Sequence, residues 1–146
     1  MGSNIDPERN MERCAGLLRK QWPDIRFSSV YRSAPQLVAN QPAFLNAVAR
    51  FETEEDPDTV FRNMQVIERM LKKDVPYRYG PRTIDLDLLL YDDPKLDAPG
   101  IVLPHPKMEE RRFVLEPLCE LTDEPRWHEI LKKTLDQPCE KTDIVL

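Results

Sequence analysis

The chain is predicted to be an α+β protein with a mostly antiparallel sheet, on the strength of two features. Helical and strand-like periodicities alternate along it without any internal repeat, and prolines mark most of the junctions between them. Its 146 residues suit one compact domain over residues 1–146, long enough for a single core and short for two.

Each element has its own signature. Asp6-Pro7-Glu8 is a helix start: a capping residue, proline at the first helical position and an acid in the first turn. Met11, Cys14, Leu17 and Leu18 then form an apolar stripe that ends before Trp22-Pro23. Residues 25–32 are rich in β-formers and stop at Ser33-Ala34-Pro35. After a polar loop to Gln41-Pro42, residues 44–53 alternate as a strand, with Leu45, Ala47, Ala49 and Phe51 on one face and Phe44, Asn46 and Val48 on the other. Asp56-Pro57 repeats the helix start, and Val60, Phe61, Met64, Ile67 and Leu71 form the second stripe, flanked by Gln65 and Glu68. Residues 72–76 read as a loop. Residues 83–91 give the clearest strand, with Ile84, Leu86, Leu88 and Leu90 facing one way and Asp85 and Asp87 the other. Beyond it lie a proline-rich stretch, a short helix over 108–115 and a second over 126–135.

Composition narrows the chemistry. The four glycines, Gly2, Gly16, Gly80 and Gly100, are too scattered for a phosphate-cradling loop or a Rossmann fingerprint. A nucleotide would have to be held by side chains and metal ions. With 26 acids against 21 bases and a net charge of −5, there is no basic field to attract nucleic acid. Cys14, Cys119 and Cys139 form no paired motif, so neither a disulfide framework nor a zinc site is indicated. Nothing reads as a membrane span or a signal peptide, and the expectation is a soluble cytoplasmic monomer.

Three constellations could carry chemistry. Asp85 and Asp87 stand at i and i+2 on a strand, about 7 Å apart along the chain. Their repulsion is relieved if cations sit between them, and Mg²⁺ commonly takes one or two protein carboxylates and completes its octahedron with phosphate and water. Arg82 precedes the pair with a guanidinium suited to phosphate. The second group is Pro104-His105-Pro106 with Arg111, Arg112 and Phe113. In the third, Phe44 and Asn46 share a strand face and could stack on and hydrogen-bond a flat heterocycle. Each has a plainer alternative: a solvated acidic face, a loop histidine with a surface arginine, and a surface aromatic beside a satisfied amide.

Taken together and in order, Gly2-Ser3-Asn4, Ser28-Ser29-Val30-Tyr31, Gln41-Pro42 with Phe44-Leu45-Asn46-Ala47, Gln65 with Ile67-Glu68, the run Gly80-Pro81-Arg82-Thr83-Ile84-Asp85-Leu86-Asp87-Leu88, and Pro104-His105 with Arg111 and Phe113 resemble the 6-hydroxymethyl-7,8-dihydropterin pyrophosphokinase family of folate biosynthesis. The resemblance covers nearly the whole chain. It implies a ferredoxin-like α/β sandwich and transfer of pyrophosphate from ATP to the pterin hydroxymethyl group. By the same resemblance Asp85 and Asp87 would hold two Mg²⁺ ions, and Arg82 and Lys73 would act on the triphosphate. Gln65, Glu68, His105 and Arg111 would bind ATP. Asn46, with Phe44, Phe113, Tyr79 and Asp85, would hold the pterin.

Three departures from the family pattern stand out. The loop 72–76 is one residue short, and Lys73 takes the place of an arginine. Tyr79 stands where tryptophan is common. The apolar strand that ordinarily precedes Gly-Ser-Asn is absent: either the start is mis-assigned or truncated, or the β-prone tail 142–146 fills the gap, although a disordered terminus is the expectation for that tail. The competing readings are a degenerate family copy, an RNA-binding sheet, which the acidic balance disfavours, and a metal-dependent phosphoesterase built on the aspartate pair.

Overall fold

The computed structural model describes residues 1–34, 42–72, 84–92 and 100–146. In chain order its elements are β1 (Gly2–Ser3), α1 (Pro7–Gln21), β2 (Arg26–Phe27), β3 (Tyr31–Ser33), β4 (Phe44–Asn46), β5 (Ala49–Arg50), α2 (Pro57–Lys72), α3 (Arg112–Leu118), α4 (Pro125–Leu131) and β6 (Cys139–Lys141). Single 3₁₀ turns at Met108–Glu110 and Lys132–Thr134 lead into α3 and follow α4. The main sheet is antiparallel in the order β1-β4-β3-β6, and β2 pairs with β5 in a separate ribbon. The α+β class with a mostly antiparallel sheet is therefore observed.

Both long helices form where the apolar stripes predict them. Met11, Cys14 and Leu18 of α1 meet Val60, Met64, Ile67 and Leu71 of α2 over Val30, Leu45, Ile84 and Leu86. At the start of α2 the Asp56 carboxylate accepts the Thr59 N–H at 2.8 Å, a side-chain cap. Asp6 behaves differently. Its backbone is left-handed (φ 37°, ψ 55°) and its side chain makes no capping bond, while its C=O accepts the Asn10 N–H at 3.0 Å. Trp22 closes the end of α1 by stacking on Phe51, with centroids 4.2 Å apart, and by donating its indole N–H to Glu55 at 2.9 Å. A second apolar cluster joins Val48 to Met108, Leu115, Leu118 and Trp127.

The strands are more broken than simple alternation predicts. The interval 25–32 divides at Ser28-Ser29, whose hydroxyls serve other partners. Ser28 accepts the Val48 N–H at 2.9 Å, and Ser29 donates to Glu120 at 2.8 Å. The interval 44–53 divides at the matching place. Ala47 donates its N–H to Met1 and Val48 returns its C=O to Ser28. Leu45, Asn46, Ala47 and Val48 are consequently all buried, so the predicted two-face alternation fails there. Among the described residues, 84–92 run without a regular ladder, and one bridge joins Asp85 to Gly2. Beyond Met1 a cavity of about 450 Å³ opens between residues 48–53 and 86–92. The tail 142–146 does not line it. Instead β6 joins the far edge of the sheet, the Thr142 N–H and hydroxyl both donate to the Val30 C=O, and Ile144 and Leu146 pack on the first cluster. The C-terminal helices also divide: the interval 108–115 becomes the 3₁₀ turn and α3, and 126–135 becomes α4 and its following 3₁₀ turn.

Glu120, just past α3, pins that helix to the sheet. Its carboxylate accepts the Tyr31 hydroxyl at 2.6 Å, the Ser29 hydroxyl at 2.8 Å and the Ser29 N–H at 3.0 Å. Partial burial works to raise the Glu120 pKa, but the Tyr31 and Ser29 donors outweigh it and hold the carboxyl below its usual range. Burial and the facing carboxylate push the Tyr31 phenol up. A depressed folded pKa means that this contribution is complete above the unfolded-state value and fades as pH falls through the folded one. Glu120→Ala is expected to cost about 1–2 kcal/mol near neutral pH, read as a lower urea midpoint at unchanged m-value. The gap between wild type and variant should narrow on acidification, and a pH-independent gap would remove the carboxylate from the account.

Candidate active site

The acidic pair is organised by backbone hydrogen bonds from two neighbours. Gly2 and Asp85 exchange both of their main-chain bonds, at 3.0 and 2.8 Å. Between the two aspartates, the Leu86 N–H donates to the Glu68 carboxylate of α2 at 2.7 Å, and the other oxygen of Glu68 lies 3.6 Å from Lys72. Ile84 and Leu86 are buried, Asp85 is half-buried and Asp87 is exposed. The alternation that predicts both carboxylates on the side away from the core thus holds over this stretch, even though the ladder does not.

Across β1 from Asp85 lies Asn46, paired with Gly2 in register. Asn46 is buried and donates from its amide to the Ser33 hydroxyl at 2.7 Å, which fixes the orientation of its side chain. Its Oδ1 comes so near Gly2 that a Cβ there would sit 3.0 Å away. Glycine at position 2 is favoured by packing, because any Cβ there would press on the amide that Ser33 holds. The Met1 amino group donates to the Ala47 C=O at 2.9 Å. Burial pushes its pKa down, opposed by Cys14, Asp87, Asp85 and Glu68.

His105 joins the same region through its main chain, donating its N–H to the Leu89 C=O at 2.9 Å. Its Nδ1 accepts the Lys107 N–H at 3.3 Å, so a neutral ring carries its proton on Nε2. Met108–Glu110 follows at once. Arg111 then caps α3 in extended conformation (φ −123°, ψ 106°), and its guanidinium lies 5.6 Å from the centroid of the Phe113 ring. Phe44 is half-buried opposite Ser33, and Gln65 is exposed on α2.

The structure thus brings Asp85 and Asn46 to either side of Gly2, sets Glu68 on the Leu86 N–H between the two aspartates, ties His105 to the segment bearing Asp87, and sets Arg111 on Phe113. Lys73, Tyr79 and Arg82 lie outside the described residues. Of the candidates, Asp87 lines the 450 Å³ cavity. The role of Glu68 as backbone anchor and that of Ser33 as partner of Asn46 escape sequence reasoning, because both contacts are long-range. Cys14 is no candidate nucleophile: burial pushes its thiol up to about 12.

The donor chemistry suits a hard cation held with few protein ligands. Asp85 and Asp87 offer oxygen alone, and among the described residues no group of three or more His, Cys, Asp and Glu side chains could enclose a metal. A cation at the pair would keep positions open for water or phosphate, which is the habit of Mg²⁺.

A family model described as 7,8-dihydro-6-hydroxymethylpterin-pyrophosphokinase matches residues 1–123. The chain is 36% identical over 124 residues to the 2-amino-4-hydroxy-6-hydroxymethyldihydropteridine pyrophosphokinase of Bacillus subtilis, covering 83% of this chain and 74% of that protein. To the protein of the same name from Pseudomonas aeruginosa it is 36% identical over 129 residues, covering 86% and 80%. The mitochondrial folate synthesis bifunctional protein of Pisum sativum is 37% identical over 123 residues, 83% of this chain and 24% of that one. The chain spans about a quarter or less of such larger relatives, down to 19% for the folic acid synthesis protein fol1 of Schizosaccharomyces pombe.

The contact between Gly2 and Asn46 can be tested directly. Gly2→Ala forces a methyl against an amide that Ser33 already holds, and overpacking of this kind costs about 1–3 kcal/mol. The expected outcome is a lower thermal midpoint together with a displaced Asn46 side-chain amide resonance in the NMR spectrum. A variant with the wild-type midpoint and an unmoved resonance would show that the amide yields freely.

Proposed function

The chain belongs to the 7,8-dihydro-6-hydroxymethylpterin-pyrophosphokinase family, and from that premise we propose that it transfers a pyrophosphoryl group from ATP to 6-hydroxymethyl-7,8-dihydropterin in folate synthesis. The oxygen of the pterin hydroxymethyl group attacks the β-phosphorus of ATP. The bond from that phosphorus to the oxygen bridging it to the α-phosphorus breaks, AMP departs with the bridging oxygen, and the hydroxyl proton is released. The observation that carries this reading is the outward-facing Asp85–Asp87 pair, braced on one edge by Gly2 and on the other by Glu68, with Asn46 one strand away.

In this reading Asp85 and Asp87 would hold two Mg²⁺ ions. When bound, Mg²⁺ supplies charge neutralisation and Lewis acidity at the phosphates. The protein contributes binding and electrostatics. His105 presents its Nε2–H to a phosphate oxygen, Arg111 offers a guanidinium for bidentate contact, and Arg82 and Lys73 meet the developing negative charge. Gln65 and Glu68 line the nucleotide side, and through Leu86 Glu68 also fixes the spacing of the carboxylates. Asn46 reads the pterin edge with the amide hydrogen that Ser33 leaves available. Phe44, Phe113 and Tyr79 provide stacking surface, and Asp85 borders both substrates. Among the described residues no helix is long and apolar enough to cross a membrane.

The test is pterin-dependent AMP formation, followed by chromatography. Wild-type protein should form AMP only with both Mg²⁺ and the pterin present, and excess EDTA should abolish the reaction. Asp87→Ala should lower kcat by at least about 100-fold, the scale set by removing one element of transition-state charge stabilisation. ATP breakdown that ignores the pterin would replace this reading with a phosphoesterase. A fully active Asp87→Ala would remove the pair from the site.

A further inference from the structure

A side chain beyond the span of the family match holds the backbone that carries Arg111. The primary amide of Gln137 bridges the main chain on both sides of that residue. Its Nε2 donates to the Glu110 C=O at 2.8 Å and its Oε1 accepts the Arg112 N–H at 2.9 Å. Only one orientation of the amide satisfies both, since the N–H must meet its oxygen and the C=O its nitrogen. Arg111 between them is the extended link joining a 3₁₀ turn to α3. Its own C=O is taken by the N–H groups of Val114 and Leu115, at 3.1 and 3.0 Å. A single extended residue between two helical turns is where the backbone could pivot, and the amide spans that pivot.

The clamp is itself clamped. Gln137 donates its N–H to Thr134 at 3.0 Å, and the buried Thr134 donates its hydroxyl to the Leu131 C=O at 2.9 Å. The Arg112 guanidinium reaches back to the C=O groups of Gln137 and Leu135, at 2.9 and 3.2 Å, while its Nε pairs with Glu116 at 3.3 Å. Residues 134–137 and 110–112 therefore hold each other at both ends. This is more than a surface glutamine needs for solubility.

We propose that Gln137 is a positioning residue for ATP recognition, setting the direction of the Arg111 side chain by bridging the backbone across it. The proposal rests on the reading above in which Arg111 contacts the triphosphate. Gln137→Met keeps the length and bulk of the side chain and removes both hydrogen bonds. It should raise KM for ATP about 5- to 10-fold, the scale of one or two lost hydrogen bonds, and leave kcat within about twofold. Gln137→Glu, which can still accept from Arg112 but cannot donate to Glu110, should lie between the two.

The decisive measurement is a cycle with Arg111→Ala, reading the dissociation constant of Mg-ATP by calorimetry. Arg111→Ala alone should weaken binding, and adding Gln137→Met should then change nothing further. If the two losses multiply, or if Gln137→Met leaves ATP affinity at the wild-type value, Gln137 does not act through Arg111 and the proposal is overturned. If Arg111→Ala itself binds ATP normally, the assignment of Arg111 to the nucleotide fails, and the role of Gln137 falls with it.

Discussion

The main-chain bonds of Gly2 are the constraint on which the rest of the site depends. A strand of two residues, β1, stands between β4 on one side and Asp85 on the other. Buried backbone groups must find partners, and here the pairs that satisfy Gly2 also fix how far the acidic segment lies from Asn46. A side chain at position 2 would press on the Asn46 amide, with its Cβ 3.0 Å from the amide oxygen. The distance between the region proposed for the metals and that proposed for the pterin is therefore set by interstrand spacing, about 4.8 Å for each strand crossed, and by no flexible element.

Glu68 extends the same logic from the helical layer. The stripe of α2 buries Met64, Ile67 and Leu71, which turns position 68 toward the 84–92 segment. Its carboxylate then takes the Leu86 N–H, in place of a strand partner. A helix packed for hydrophobic reasons thereby stabilises an extended segment that, among the described residues, is bridged to the sheet at Asp85. The carboxylates on either side of Leu86 are spaced by the pleat, and the pleat is held from both edges.

Much of this was legible in the sequence, and the remainder was not, for identifiable reasons. The two long helices follow from Asp-Pro starts and 3.6-residue stripes, which are local signals. The Asp85–Asp87 face follows from the two-residue period of extended chain, and it persists without a ladder because burial of Ile84 and Leu86 suffices to orient it. The breaks at Ser28-Ser29 and Ala47-Val48 escape a periodicity argument, since serine hydroxyls there replace strand partners with contacts 20 and 91 residues away in the chain. Asp6 shows the same limit at a cap: its residue type predicts a side-chain bond, and with its left-handed backbone it makes none. The anchors Glu68, Glu120 and Gln137 are ordinary polar letters until the fold brings their partners to them.

The bracing of the acidic segment has a thermodynamic corollary. Asp85 and Leu86 are secured by a glycine from the first strand and a carboxylate from the second helix, so unseating either contact would loosen the carboxylate pair. A ligand that requires the pair in place is then linked to the docking of β1 and α2, and its binding free energy is shared with them. Saturation with such a ligand would suppress local opening at the N-terminus and along the whole of α2, including turns remote from Gln65 and Glu68. Substrate occupancy and closure of the sheet become one equilibrium.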